Sequence, residues 1–338
     1  MRIAVIGAGG VGGYFGARLA AAGHDVTFVA RGRHLEAIRR SGLLVRSPLG
    51  DVRTPPSSAV ADIGELGPTD LVIVAVKLWD TEDIALRLSS ADLGDPHVLS
   101  LQNGVHKDLI LRRHLGEERV LGGTCFISAF IEEPGVVVHN NTLQKIIVGP
   151  YLATQATMSE AVHTAFRNAA IDTEPSTDIE KVIWEKFVFL VGLSATTAAV
   201  RRPIGVVRSN DRTRVLLSEV MQEATEVARA SGVKLDETFV QTQMDFCDTL
   251  PATMTSSMHN DLEKGNRLEL PWLSGGVVDL AEQLGIAVPR NRTVADILAP
   301  YIEGGLVALD VALCGETPVV TNRWAGSSGS AAAPRHTG

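Results

Sequence analysis

The chain has 338 residues, 45% of them apolar, which is enough for two domains with separate buried cores. Its 31 Lys and Arg against 39 Asp and Glu give a formal charge of -8, which repels phosphate backbones and argues against nucleic acid as the main partner. The cysteines are scattered and odd in number, as expected for reduced thiols in a cytosol: Cys125, Cys247 and Cys314. We find no apolar stretch of membrane-spanning length and no signal peptide, so we expect a cytoplasmic protein with no membrane partner.

Two kinds of sequence pattern follow one another along the chain. From residue 2 to about 149, short β-branched runs alternate with helical stretches, which predicts an α/β domain with a Rossmann-type, doubly wound parallel sheet. Candidate strands lie at residues 3–6, 26–29, 71–76 and 98–101. Later amphipathic segments predict a second, all-α domain, with helices at 178–191, 213–230 and 271–284, the last ended by Gly285.

The change of pattern sets the expected domain boundaries. The α/β domain covers residues 1–170, a linker around Pro175 covers 171–177, and the helical domain covers 178–316. A cleft is expected where the two domains meet. Residues 325–338 are rich in Gly, Ser and Ala without periodicity, so we expect a disordered tail there.

A glycine-rich segment directly follows the first predicted strand and opens the first predicted helix. In this GxGxxG pattern the first glycine permits a tight turn, the second lets a pyrophosphate approach the backbone, and the third lets helix and strand pack closely. Glycine-rich turns also have purely structural uses, but the flanking strand and helix favour a dinucleotide site. Its residues are Gly7, Ala8, Gly9, Gly10, Val11 and Gly12.

The residue after the second predicted strand indicates which dinucleotide binds. Arg31 stands where an acidic residue would accept a hydrogen bond from a ribose 2'-hydroxyl. A guanidinium can instead pair with a 2'-phosphate, and Arg33 is close enough to help, so NADP(H) is favoured over NAD(H). The alternative is that Arg31 is a solvated loop cation.

Two polar residues follow later predicted strands, at the sheet edge where ligands bind in open α/β folds. Lys77 follows the strand at 71–76, and Asn103 lies in a Gln-Asn-Gly segment after the strand at 98–101. Lys77 can approach a cofactor or substrate, and Asn103 offers both a donor and an acceptor. A strand-terminal lysine in solvent and an ordinary Asn-Gly turn are the alternatives.

The helix predicted at 178–191 places a lysine on its apolar face. Lys186 lies four residues after Val182 and four before Leu190, both of which belong to the apolar stripe. Partial desolvation lowers the pKa of an ammonium, as a proton donor to a developing alkoxide requires. The alternative is a lysine whose charged end reaches water at the edge of the core.

A second group of candidates lies at residues 256–269 of the helical domain. Glu269 stands between two leucines just before Pro271, so it is either a partly buried functional carboxylate or favourable charge at a helix start. Ser257 could bind a carboxylate or cap the following helix.

These motifs, in this order, resemble the ketopantoate reductase (2-dehydropantoate 2-reductase) family over the chain up to its tail. The resemblance rests on the glycine-rich segment, Arg31 and several short motifs: Lys77-Leu78-Trp79, Gln102-Asn103-Gly104, Trp184-Glu185-Lys186, Arg202-Pro203-Ile204-Gly205 and the segment 257–269. It implies a Rossmann domain joined to an all-α domain like the C-terminal domain of 6-phosphogluconate dehydrogenase. The implied reaction is NADPH-dependent reduction of 2-dehydropantoate to (R)-pantoate, on the route to pantothenate and coenzyme A.

The resemblance also implies residue roles. Lys186 matches the catalytic lysine that donates a proton, and Glu269 matches the carboxylate that contacts the substrate hydroxyl. Asn103, Ser257 and Ser194 are implied as substrate-binding residues. Arg31, Lys77, Asn103 and Ala129 are implied as cofactor contacts beside the glycine-rich segment. From the residues themselves we expect no metal, because the chain has no HExxH or CxxC arrangement and its histidines are dispersed. A homodimer is the assembly we expect.

Three positions depart from the family pattern. Leu190, Ser194 and Ile204 stand where characterised members carry asparagines. Because specificity for a hydroxyl rests on dedicated hydrogen bonds, the substrate of a related dehydrogenase with this architecture could be another 2-oxo or 2-hydroxy acid. A non-catalytic NADPH-binding sensor on the same fold is a further alternative, since a fold does not establish an activity.

Overall fold

A computed structural model describes residues 1–56 and 58–305 of the chain. Ten strands form one sheet in the order β4-β3-β9-β8-β7-β6-β1-β2-β5, with β10 paired to β9. Each of the four strands predicted from the sequence is present, with bounds that differ by at most two residues. The strands are β1 (Arg2–Ile6), β2 (Asp25–Val29), β3 (Leu44–Arg46), β4 (Val52–Arg53), β5 (Ala59–Val60), β6 (Leu71–Val74), β7 (His97–Ser100), β8 (Val120–Glu133), β9 (Val136–Gly149) and β10 (Asp172–Pro175).

Helices cover both faces of the sheet. Alternate residues of β1 point to opposite faces, so Ile3 and Val5 enter one buried cluster while Ala4 and Ile6 enter another. Strands buried on both faces read as continuous apolar runs, as β1 and β6 do. The helices of this domain are α1 (Gly10–Ala21), α2 (Gly32–Ser41), α3 (Thr81–Ser90), α4 (His106–Leu115) and α5 (Ala156–Asn168).

The predicted sheet class is confirmed, with an antiparallel addition that the sequence analysis did not include. The strands β5, β2, β1, β6, β7 and the start of β8 pair in parallel. Beyond them β8 and β9 form a long antiparallel hairpin, and β3 pairs antiparallel with β4. The hairpin turns at Gly135, whose φ of 84° suits a residue without a side chain.

The second domain is helical, as predicted, around one apolar cluster. Asp178 caps α6 by accepting from the Lys181 N–H, and α6 ends at Arg201, which adopts the left-handed conformation. Gly192 lets α6 approach α8, because a side chain there would meet Met221 at 2.5 Å. The helices are α6 (Ile179–Val200), α7 (Ile204–Ser209), α8 (Asp211–Ala230), α9 (Phe239–Thr249), α10 (Ser257–Glu263), α11 (Ser274–Leu284) and α12 (Pro289–Leu298).

Three details correct the expected boundaries. The predicted linker at 171–177 contains β10, which extends the sheet by pairing with β9, so most of that segment is part of the sheet. Helix α6 runs nine residues beyond its predicted end because the sequence stays apolar and helix-compatible to Val200. Pro271 lies in a short 3-10 turn, Leu270–Trp272, and α11 begins only at Ser274. The end of the predicted helical domain and the predicted tail at 325–338 lie outside the described residues.

Helix α6 also corrects the expectation about membrane-length segments. By length and composition alone this 22-residue helix could cross a membrane, since an 18-residue window has a mean hydropathy of 1.4. However, 67% of that window is buried inside the protein, where the helix packs in the apolar cluster of its domain. A helix that is apolar all round is also what a protein core contains.

Candidate active site

The glycine-rich turn has the geometry that each glycine was expected to supply. Gly7 has a φ of 100°, which a residue with a side chain rarely adopts. A Cβ at Gly12 would lie 2.1 Å from the Gly7 carbonyl oxygen, so α1 can pack this closely only without one. A Cβ at Gly9 would meet no atom within 4 Å. The space beside Gly9 therefore fits a ligand that approaches the backbone, such as a pyrophosphate at the start of α1.

The β8–β9 hairpin holds this turn from the side. A Cβ at Gly10 would lie 2.1 Å from the Ala129 carbonyl oxygen, so β8 runs directly against the start of α1. At the hairpin turn the Gly135 N–H donates to His34 Nδ1 at 3.0 Å, which leaves the ring proton on Nε2 to donate to the Ala8 carbonyl oxygen at 2.8 Å. Burial lowers the pKa of His34, which favours this neutral form. His34 was not among the residues predicted from the sequence.

Arg31 and Asp80 meet above the carboxyl ends of the strands. Arg31 immediately precedes α2 and is largely exposed, with Nη2 at 3.1 Å from Asp80 Oδ2. Asp80 closes the short 3-10 turn that follows Lys77. The guanidinium predicted to meet a 2'-phosphate therefore already carries a carboxylate partner, which the sequence did not reveal.

Lys77 and Glu269, predicted for different roles, are brought together across the domain boundary. Lys77 Nζ lies 3.3 Å from Glu269 Oε2 and 3.2 Å from Asp261 Oδ2. The Leu78 N–H donates to the other Glu269 oxygen at 3.0 Å. Burial alone would lower the pKa of Lys77, but the two carboxylates outweigh it and raise that pKa. Glu269 thus ties the helical domain to the turn that follows β6.

An aromatic cluster lies next to this ion pair at the same boundary. The Trp79 ring lies 6.5 Å from the Trp272 ring, centre to centre. The Arg267 guanidinium lies 4.7 Å from the Trp79 ring centre and Lys77 Nζ lies 5.7 Å from it. Both domains therefore contribute aromatic and cationic groups to this part of the cleft.

Lys186 reaches from α6 to the carboxyl end of β7 and to the middle of β8. Its Nζ donates to Asn103 Oδ1 at 3.1 Å and to the Cys125 carbonyl oxygen at 2.5 Å, and lies 5.1 Å from the centre of the Phe126 ring. The nearest partners are uncharged, and burial lowers the pKa of Lys186. A lysine with a lowered pKa and polar partners at a domain boundary is placed to donate a proton.

The two serines predicted to bind substrate differ in their exposure. Ser194 and Ile204 have no exposed surface, and the Ser194 hydroxyl has no hydrogen-bond partner among the described residues. Ser194 therefore does not offer its hydroxyl to the cleft in this conformation. Ser257 is exposed at the first position of α10, whereas Ser256 caps that helix by accepting from the His259 N–H at 3.0 Å. The capping alternative for Ser257 is wrong by one residue.

Two further findings concern cysteines and metals. Cys125 and Cys247 are buried free thiols, and Cys314 lies outside the described residues. Within residues 1–56 and 58–305, no group of three or more His, Cys, Asp or Glu side chains is placed to hold a metal ion.

The fold and the arrangement of these residues define a class of protein: an oxidoreductase with a sheet domain that carries a glycine-rich turn of the dinucleotide-binding type and a helical domain packed against it. A family model described as ketopantoate reductase PanE/ApbA matches residues 3–153, and the model of its C-terminal domain matches residues 178–302. The chain belongs to the ketopantoate reductase family.

Known proteins resemble the chain over most of its length. A 2-dehydropantoate 2-reductase from Halobacterium salinarum is 33% identical over 88% of this chain and 98% of its own. The crystal structure of a PanE/ApbA family ketopantoate reductase from Ralstonia eutropha JMP134 has a TM-score of 0.81 at 31% identity, covering 89% of this chain and 98% of its own. A D-mandelate dehydrogenase solved with NADH and anilino(oxo)acetate covers the same shares with a TM-score of 0.80, but at 20% identity it shows the fold alone.

Proposed function

We propose that the protein reduces the ketone of a 2-oxo acid, 2-dehydropantoate, with NADPH as cofactor and Lys186 as the proton donor. The observation that carries the proposal is the position of Lys186 Nζ, 3.1 Å from Asn103 Oδ1 across the domain boundary. The choice of 2-dehydropantoate as the substrate is suggested by relatives that are named 2-dehydropantoate 2-reductase. NADPH, when bound, supplies a hydride.

Lys186 performs the proton chemistry in this proposal. A protonated Nζ donates a hydrogen bond to the substrate carbonyl oxygen and gives up its proton as negative charge develops there. Burial helps, since it lowers the pKa of Lys186 and makes the ammonium a stronger acid. Asn103 and the Cys125 carbonyl orient Nζ by accepting from it, so the donor is held in place before the substrate arrives.

Glu269 acts as the substrate-orienting carboxylate. In the structure its two oxygens are taken by Lys77 Nζ and by the Leu78 N–H. A substrate hydroxyl would compete with Lys77 for one of these oxygens while the backbone bond keeps the carboxylate in place. Substrate binding and the contact between the domains are therefore linked through one side chain.

The sheet domain holds the cofactor. The open space beside Gly9 admits a pyrophosphate, and the backbone at Ala129 lines the same turn through its contact with Gly10. Arg31 is exposed at the end of β2, where it can pair with a 2'-phosphate if it releases or shares Asp80. These features support NADP(H), while the cytoplasmic location and the homodimer stay predictions.

A second candidate is the reduction of another 2-oxo acid by the same chemistry. Its support is the replacement of three expected amides: Ile204 and Ser194 are fully buried, and Leu190 adds apolar surface to α6. A pocket with fewer amide donors selects a hydroxylated substrate less strongly.

A panel of 2-oxo acids tests the proposal, with loss of NADPH absorbance as the readout. We expect 2-dehydropantoate to give the highest kcat/KM. A higher value for a substrate without the hydroxyl would favour the second candidate. A protein that binds NADPH but reduces no 2-oxo acid would support the sensor and overturn the proposed function.

A further inference from the structure

A second lysine, Lys107, contacts the same strand as the half-buried Lys186. Lys107, on α4, is only 1% exposed and forms an ion pair with Asp108 at 2.6 Å. Its Nζ also donates to the Gly123 carbonyl oxygen at 3.0 Å and to the Ser100 carbonyl oxygen at 3.3 Å. A fully buried ammonium is costly, so its persistence in the fold calls for several partners of this kind.

The two lysines, from two different helices, bind neighbouring backbone carbonyls of one strand, β8. The pairing of β7 with β8 covers only Val120 and Leu121, so the following residues of β8 extend past β7. Lys107 binds the carbonyl of Gly123, and Lys186 binds the carbonyl of Cys125, two residues further on. Carbonyls two residues apart point to the same side of a strand, about 7 Å from one another. The two ammonium groups therefore donate hydrogen bonds to β8 carbonyls beyond the part of the strand that pairs with β7.

We infer that Lys107 is a positioning residue for the reaction. Its ammonium anchors β8, the strand whose Cys125 carbonyl holds Lys186. Together with Asp108 it also determines the electrostatic charge next to Lys186 on the buried side of the site. The inference rests on the proposed role of Lys186. Tyr151 completes the arrangement, since its hydroxyl donates to Asp108 Oδ2 at 2.8 Å. Burial and the nearby Asp108 raise the pKa of Tyr151, which keeps this donor protonated.

Among the groups near Lys186, Lys107 is the cation whose charge acts on its ammonium. Asn103 and the Phe126 ring are uncharged, and Glu185, on the same helix, faces Lys181 at 3.9 Å. Burial lowers the pKa of Lys186, the Cys125 thiol opposes that shift, and the positive charge of Lys107 adds to it. Asp108 offsets part of the charge of Lys107, so on this inference the pair adjusts an acidity of Lys186 that burial mainly determines.

Removing the positive charge of Lys107 and removing the negative charge of Asp108 should shift the pH profile of kcat/KM in opposite directions. Because Lys186 must be protonated to donate, kcat/KM falls as pH rises through its pKa. Lys107→Met removes the positive charge, so we expect this alkaline limb to move up by about one pH unit. Asp108→Asn leaves Lys107 without its counter-charge, so we expect the limb to move down by a similar amount. Tyr151→Phe changes no charge and serves as the matched control, with the limb within about 0.3 unit of the parent.

A purely structural ion pair predicts a different result, because loss of anchoring lowers the rate without moving the limb in opposite directions. Limbs that shift together, or that do not shift, would overturn the inference. If Lys107→Met does not fold, the direction of the Asp108→Asn shift decides alone. Failure of the proposed function is distinct, since the parent itself would then reduce no 2-oxo acid or would keep its alkaline limb in a Lys186 variant.

Discussion

His106, the first residue of α4, makes the stability of the protein depend on pH. Its ring packs against α11, where a Cβ added at Gly276 would lie 2.7 Å from the imidazole. Its Nδ1 is buried without a hydrogen-bond partner among the described residues. Burial lowers the pKa of His106 to about 4. Protonation of this ring is therefore unfavourable as long as the two domains pack around it.

The sign and size of the effect follow from linkage. Because the pKa of His106 is lower in the folded than in the unfolded chain, full stability is present above about pH 6.5 and is lost as pH falls toward 4. Between pH 7 and pH 5 the unfolded chain takes up the proton and the folded chain does not, which costs about 2 kcal/mol. For a domain of this size that loss lowers the thermal midpoint by roughly 4 to 8 °C.

The assay compares the parent with His106→Phe, which keeps a ring of similar size but does not titrate. Thermal midpoints are measured for both at pH 7 and pH 5. Other groups whose pKa falls on burial, such as His34, are common to both proteins and cancel in the comparison. We expect the parent to lose about 2 kcal/mol more than the variant. Equal losses would refute the reasoning, since the burial cost would then not lie at His106.

The remaining predictions concern the cofactor and the domain contact. Gly9→Ala meets no atom within 4 Å and should leave the thermal midpoint nearly unchanged while weakening NADPH binding at least about tenfold, whereas Gly12→Ala should destabilise the fold by more than about 2 kcal/mol. Equal effects on stability would contradict these assignments. Asp80→Asn frees Arg31 and should tighten NADPH binding about fivefold in a fluorescence titration while leaving NADH within about twofold; parallel changes for both would argue against selection through Arg31. Glu269→Gln keeps a group that can accept from the backbone but loses the charge that meets Lys77, so kcat/KM should fall more than about tenfold, and an unchanged value would remove Glu269 from the site.

The features that the sequence predicts well are those with local causes. The glycine-rich turn depends on backbone freedom and on the strand and helix beside it, all within residues 2–21. The hairpin of β8 and β9 was not predicted, although Pro134-Gly135 between two β-rich runs is a local pattern typical of a turn. By contrast, β10 is a short polar segment with a proline, and only its pairing with β9 makes it a strand.

The site features that escaped prediction depend on contacts between distant parts of the chain. The ion pair of Lys77 with Glu269 joins residues 192 positions apart, and nothing near either residue indicates the other. Lys107 and Asp108 read as the charged surface of a helix, yet the packing of α4 on the sheet buries both. The capping serine differs from the predicted one by a single position, which is the usual uncertainty of a helix boundary.

The central claim is that Lys186 donates the proton, and comparing binding with turnover in Lys186→Met tests it most directly. The variant removes the ammonium but keeps an apolar side chain of similar length on α6. Titration of NADPH should give a Kd within about twofold of the parent, while kcat for the preferred 2-oxo acid should fall by about a hundredfold to ten-thousandfold. A variant that binds NADPH normally and turns over within about threefold of the parent would contradict the account.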